Sequence, residues 1–171
     1  MKHLVRIFVI ILCYSLLPVS CEKEVKLERS KIIVNPQFAK DLLKKSSDTI
    51  NIDMIDFFLE VSIYPDSMPG GSTEGNPLIS TNCLTSIESL VVPQTIDLVK
   101  QYVIKNDSIW ISLYEDEKEK IDSNRVKVCR TSINGPSWNP GILVDVVAEG
   151  YDSKNDDTFF IRALDQIINS K

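Results

Sequence analysis

Apolar and polar residues alternate most regularly from Ile52 to Tyr64, where Ile55, Phe57, Leu59, Val61 and Ile63 are interleaved with Asp56, Phe58, Glu60, Ser62 and Tyr64. A period of two puts one set on each face of an extended chain, so this stretch predicts a strand with one face in a core. Pro65 ends it. Pro65 to Asn82, with Pro69-Gly70-Gly71, Gly75 and Pro77, reads as a long loop too rich in breakers for a regular element. Leu84 to Val92 reads as a second strand, stopped by Pro93. From Ser108 to Glu115, Ile109, Ile111 and Leu113 oppose Trp110, Ser112 and Tyr114, and two buriable faces predict a central strand. Arg125 to Ile133 sets Val126 and Val128 against Lys127, Cys129 and Thr131. Ile142 to Glu149 and Thr158 to Ile168 are two more strands, joined through Gly150 to Asp157 as a hairpin.

Two stretches carry the helical period instead. Asn35-Pro36 is an N-cap followed by proline at the first helical position, and Phe38, Leu42 and Leu43 then share a face that Lys40, Asp41, Lys44 and Lys45 mostly avoid. Gln94 to Lys105 reads as a second helix capped by Thr95 with Ile96, Val99 and Val103 on one side, while Leu98, Lys100, Tyr102 and Ile104 also fit a strand edge. About six strands with one or two short helices predict a mainly β fold: an antiparallel β-sandwich of immunoglobulin-like or transthyretin-like type. An α+β open sheet is the alternative.

The first residues belong to a different pattern. Lys2 and Arg6 precede Ile7 to Leu17, eleven residues without a charge, which is the length of a signal-peptide core and too short to span a bilayer. The chain is therefore expected to be exported. Val19-Ser20-Cys21 resembles the last three positions of the lipobox of bacterial lipoproteins, whose cysteine receives diacylglycerol; Pro18 stands where that family carries Leu, and Leu17 sits one place too early. The resemblance covers this segment alone. It implies lipidation at Cys21 and a place in the cell envelope, in the outer membrane because residue 22 is Glu and not the Asp of inner-membrane retention. The acidic Glu22-Lys23-Glu24 is similar to a surface-export tag of some Gram-negative anaerobes, and equally reads as a solvated tether. Ordinary cleavage after Cys21, which would secrete a soluble protein, is the alternative. The expected organisation is a leader over 1–21, a tether over 22–31 and one β-rich domain over 32–171.

Charge and residue inventory narrow the chemistry. Lys2 and Arg6 are two of the 19 basic residues, which leaves 17 against 24 acidic ones and a formal charge of −7 without the leader. That balance argues against a nucleic-acid partner. The one histidine, His3, leaves with the leader, and with it go Ser-His and Cys-His nucleophile pairs and His-ligated metal sites. Cys83 and Cys129 remain for a single disulfide in an oxidising compartment, with free buried thiols the alternative.

Site candidates are few. Asp152-Ser153-Lys154-Asn155-Asp156-Asp157 has the acidity of a calcium loop but puts Lys154 where an EF-hand needs Asp or Asn, so turn chemistry explains it. Asp53, Asp56 and Glu60 could supply a carboxylate pair for glycoside hydrolysis only if a cleft fixed their separation. Asn106-Asp107-Ser108 is a glycosylation sequon, relevant in a eukaryotic source. Trp138, held between Pro136 and Pro140 and flanked by Asn134 and Asn139, is the residue set expected to meet a ligand or partner, with folding back onto the core as its ordinary alternative. The expectation is a non-catalytic envelope lipoprotein, without cofactor or metal, that binds a protein or glycan through its loops. The alternative is an exported inhibitor or immunity protein whose acidic surface occludes a basic enzyme cleft.

Overall fold

The computed structural model describes residues 29–66, 76–115 and 125–170. They form nine strands and one helix: β1 Ser30–Val34, α1 Pro36–Lys45, β2 Thr49–Ile52, β3 Ile55–Pro65, β4 Leu78–Ser86, β5 Ile96–Lys105, β6 Ser108–Leu113, β7 Lys127–Ser132, β8 Leu143–Asp152 and β9 Asp157–Ile167. Two antiparallel sheets, ordered β1-β6-β5-β8-β9 and β2-β3-β4-β7, face one another as a β-sandwich, and the second sheet rules out the open-sheet alternative.

The helix forms as its cap predicts. Asn35 accepts a hydrogen bond from the Phe38 N–H at 3.0 Å, Pro36 opens the first turn, and Lys44 and Lys45 lie at the C-terminal end where the helix dipole favours cations. Ala39 and Leu42 are buried on the outer face of the five-stranded sheet against Tyr102, Ile104, Ile109 and Val147. The main core lies between the sheets, where Phe57, Leu59, Ile63, Leu84 and Val128 meet Leu98, Val103, Trp110, Val146 and Ile161.

Four sequence expectations need correcting. Ile52 to Tyr64 is a hairpin end and a strand rather than one strand, because Asp53 and Met54 both take positive φ (51° and 65°) and turn β2 into β3 without the glycine that usually marks such a turn. The second strand begins at Leu78 and ends at Ser86, not at Val92. Its inward residues are Leu78, Ser80, Asn82, Leu84 and Ser86, and three polar side chains on the buried face erase the expected alternation. Gln94 to Lys105 contains no helix: it holds β5. A bulge shifts the register between Leu98 and Lys100, so the inward positions fall at Ile96, Leu98, Gln101 and Val103, and the odd spacing imitates a helical one. Six strands become nine through these changes and through β1, which precedes the helix.

Cys83 and Cys129 stand directly opposite one another in β4 and β7, with Cα atoms 4.0 Å apart, and are joined as a disulfide. It lies on the outer face of the four-stranded sheet beside the Thr81 and Thr131 hydroxyls, 3.2 Å apart, and ties edge strand β7 to its neighbour β4. Close approach elsewhere is set by Gly135, where a Cβ would stand 2.7 Å from Trp110 Cη2 and 2.9 Å from the Leu78 carbonyl oxygen. Closing a 46-residue separation is worth roughly 3 to 4 kcal/mol in the chain-entropy treatment. Urea unfolding with and without reductant should show a loss of that size, absent in the double variant Cys83→Ala/Cys129→Ala; an unchanged midpoint on reduction would remove the bond's structural role.

Candidate functional site

The loop expected to bind is partly built into the fold. The Asn134 carbonyl accepts from the Ser30 hydroxyl at 3.1 Å, and that hydroxyl accepts from Trp110 Nε1 at 2.8 Å, so the loop is tied to β1 and to the core tryptophan. Asn134 takes φ +59° and is exposed, as is Asn139. Trp138 is half-buried against the main core, with Lys105 Nζ 5.3 Å from its ring centroid. Much of the other loop, residues 67–75, lies outside the described residues, as do the leader, Cys21 and the charge run at 116–120.

The carboxylates considered for chemistry are held singly by neighbours. Asp53 pairs with Lys154 at 2.6 Å, Asp56 accepts from the Asn51 amide at 2.7 Å, and Glu60 lies 3.7 Å from Lys127. The acidic loop is a turn: buried Asp152 accepts from the Lys154 N–H at 3.0 Å and the Asn155 amide at 2.6 Å, and the Ser153 N–H donates to the Thr95 carbonyl at 2.9 Å. Among the described residues no three His, Cys, Asp or Glu side chains converge as a metal would require.

Between the sheets lies a polar cluster that periodicity could not announce. Asn82 Nδ2 donates to Gln101 Oε1 at 2.6 Å and to the Tyr114 hydroxyl at 2.9 Å, all three residues being buried. Burial, then the nearby Asp97 charge, outweigh the Asn82 hydrogen bond and hold the Tyr114 phenol above its ordinary pKa, so it stays neutral. Arg130 reaches Asp97 with two nitrogens, at 2.9 and 3.0 Å, and ties β7 to β5.

Three of the surface cavities formed by the described residues border the elements above. One of about 340 Å³ lies between α1 and the ends of β5 and β8, with Asp107, Asp145 and Asp165 around Ala39, Leu43 and Ile104. A second, of about 320 Å³, lies on the other side of α1 and is lined by Arg29, Lys31, Phe38, Lys100, Tyr102, Ile111 and Leu113. The third, of about 210 Å³, lies beside the Asp152 turn.

One end of the sandwich exposes an apolar group. Met54 is 91% exposed and Ile87 52%, with Leu90, Val91 and Val126 also exposed. Backbone hydrogen bonds gather them: Ile87 N–H to the Asp56 carbonyl, Ser86 N–H to that of Val126, and Val92 N–H to that of Arg125. Asp53, Asp56 and Glu88 are exposed among them. Val91 and Val126 stood in predicted strands, so their exposure became visible only when β4 ended at Ser86 and β7 began at Lys127.

No protein-family model, curated protein or solved structure matches this chain.

The Asp152 turn makes a pH prediction. Burial pushes its carboxyl up, but hydrogen bonding, led by the Lys154 N–H, together with the Lys154 charge outweighs it, and the net pKa lies below the ordinary value. A depressed folded pKa contributes stability that is present above the unfolded value near 3.8 and is lost as pH falls through the folded one. Asp152→Asn should therefore flatten part of the acid limb of the urea midpoint measured from pH 6 to pH 2. An acid limb identical to that of the parent protein would refute the turn's contribution.

Proposed function

We propose that this chain is an exported, non-catalytic binding module of the cell envelope, carried on lipid at Cys21, that docks a protein through one end of its sandwich. The observation that carries the reading is the exposed group Met54, Ile87, Leu90, Val91 and Val126. Soluble domains seldom leave neighbouring large apolar side chains in water without a partner to cover them. Turns supply most of this surface, the part of a sandwich that can vary without disturbing the sheets. Two acidic residues among these side chains, Asp56 and Glu88, suit a partner with basic groups around an apolar centre, while Asp53 is already paired with Lys154.

A specific observation also supports the inhibitor or immunity reading, since those same carboxylates at a loop end would occlude a basic cleft. Strong salt sensitivity of the complex would favour it over a mainly apolar contact. Recognition of a glycan would instead place the decisive contact on Trp138, Asn134 and Asn139.

Membrane attachment in this proposal comes from acyl chains; no helix of the described residues is long and apolar enough to cross a bilayer. Several chains on one cysteine give stable anchoring where a single chain would not.

Two measurements test the proposal. The intact mass of the protein from its native membrane fraction should correspond to a chain starting at Cys21 plus a diacylglyceryl group; a bare chain starting at Glu22 sinks the anchor. A photo-reactive residue in place of Leu90 should give one discrete cross-linked protein in cells, lost with Ile87→Asp while the thermal midpoint is kept. Cross-links formed from position 138 and not from position 90 would move the interface to the Trp138 loop.

A further inference from the structure

The outer face of the five-stranded sheet is only partly covered. Helix α1 has ten residues, about 15 Å of length, and packs through Ala39 and Leu42 on Ile104, Ile109 and Val147. Two cross-strand rows are left beside it. In one, Lys31 is opposite Ile111, which is opposite Tyr102; in the next, the Arg29 carbonyl accepts from the Leu113 N–H, and Leu113 is opposite Lys100. Phe38 closes the helix side with its ring edge-on to Tyr102, centroids 5.9 Å apart. These residues line the cavity of about 320 Å³.

A solvated face of an antiparallel sheet is ordinarily polar. Here Ile111 and Leu113 provide an apolar floor, and three cations stand around it in a chain of formal charge −5. Arg29 Nη1 lies 3.1 Å from Glu115, and Lys100 Nζ 3.2 Å from Glu149, the carboxylate that also accepts from the Tyr102 hydroxyl at 2.6 Å. Lys31 pairs with no carboxylate among the described residues. Two cations are thus held in place by their own counter-ions, and a third is left to meet an incoming one beside a low-dielectric floor, where an ion contact is stronger than in bulk water.

We infer that this cavity binds a small amphipathic carboxylate, an aryl or short acyl acid whose apolar body lies on Ile111, Leu113 and Phe38 and whose acid group meets Lys31. The volume sits at the small end of ligand cavities, which suits one ring or a short chain. The site is separate from the apolar loop end and does not depend on the docking proposed there.

The test is calorimetric titration of the protein with 4-phenylbutyrate and with its neutral amide, which shares the apolar body. The acid should bind at least about tenfold more tightly than the amide, the size expected of a charge-assisted contact, and more weakly as NaCl is raised. Lys31→Gln should remove that preference and leave the amide unchanged, whereas Lys40→Gln, at the acidic cavity across the helix, should alter neither. Leu113→Glu should abolish both. Equal affinity for acid and amide, equal effects of Lys31→Gln and Lys40→Gln, or no binding of the acid up to millimolar concentration would overturn the inference.

Discussion

Strand β5 is buried on both faces, and most of the architecture answers that constraint. Gln101 and Val103 point between the sheets, while Tyr102 and Ile104 point the other way, so one layer cannot shelter the strand. The four-stranded sheet covers the first pair and α1 the second. The bulge between Leu98 and Lys100 lets Ile96 and Leu98 share the inner face with Gln101 and Val103 despite the odd spacing. Burial of Gln101 then imposes a second demand, since an amide taken from water needs partners. Asn82, projected inward from β4, supplies one and links it to Tyr114. Asn82, one of the polar residues that disguise β4 in the sequence, is therefore part of how the two sheets are joined.

The same geometry explains where the surface stays open. A short helix shields the row of Ile104 and Ile109 but not Ile111 and Leu113, and the partly covered face becomes a cavity with cations at its margin. At the sandwich end, the turn between β2 and β3 and the residues after β4 project Met54, Ile87, Leu90 and Val91 away from both sheets, where among the described residues they stay exposed. The two open regions differ in kind: one is concave and basic, the other convex, apolar and acidic at its margin. Small ligands favour the former shape and macromolecular partners the latter.

Edges are managed locally. Ser47 sits beside the middle of β9, its N–H donating to the Phe160 carbonyl and its carbonyl accepting from Arg162 N–H. The chain after β9 crosses to the other sheet, where the Asn169 N–H donates to the Ile63 carbonyl. On the opposite side, β7 is secured to β4 by the Cys83–Cys129 disulfide and to β5 by the Arg130–Asp97 pair. Unpaired strand edges invite further strands, and these contacts limit that exposure.

Elements whose two faces differ in polarity were legible in the sequence. β3 carries a period-two pattern that its burial follows, Asn35-Pro36 marks the start of α1, and two cysteines in the domain leave one pairing. Local sequence determines such features because cap chemistry and one-sided burial act over a few residues. Tertiary structure alone decided the rest. β4 is a strand because its neighbours accept buried Ser80, Asn82 and Ser86, and β5 is a strand because both its faces are covered. The basic cavity joins Arg29 and Lys31 to Lys100, about seventy positions away, and the apolar end joins Met54 to Val126. Neither could be read along the chain, because side chains that share a site through strand pairing have no fixed spacing in sequence.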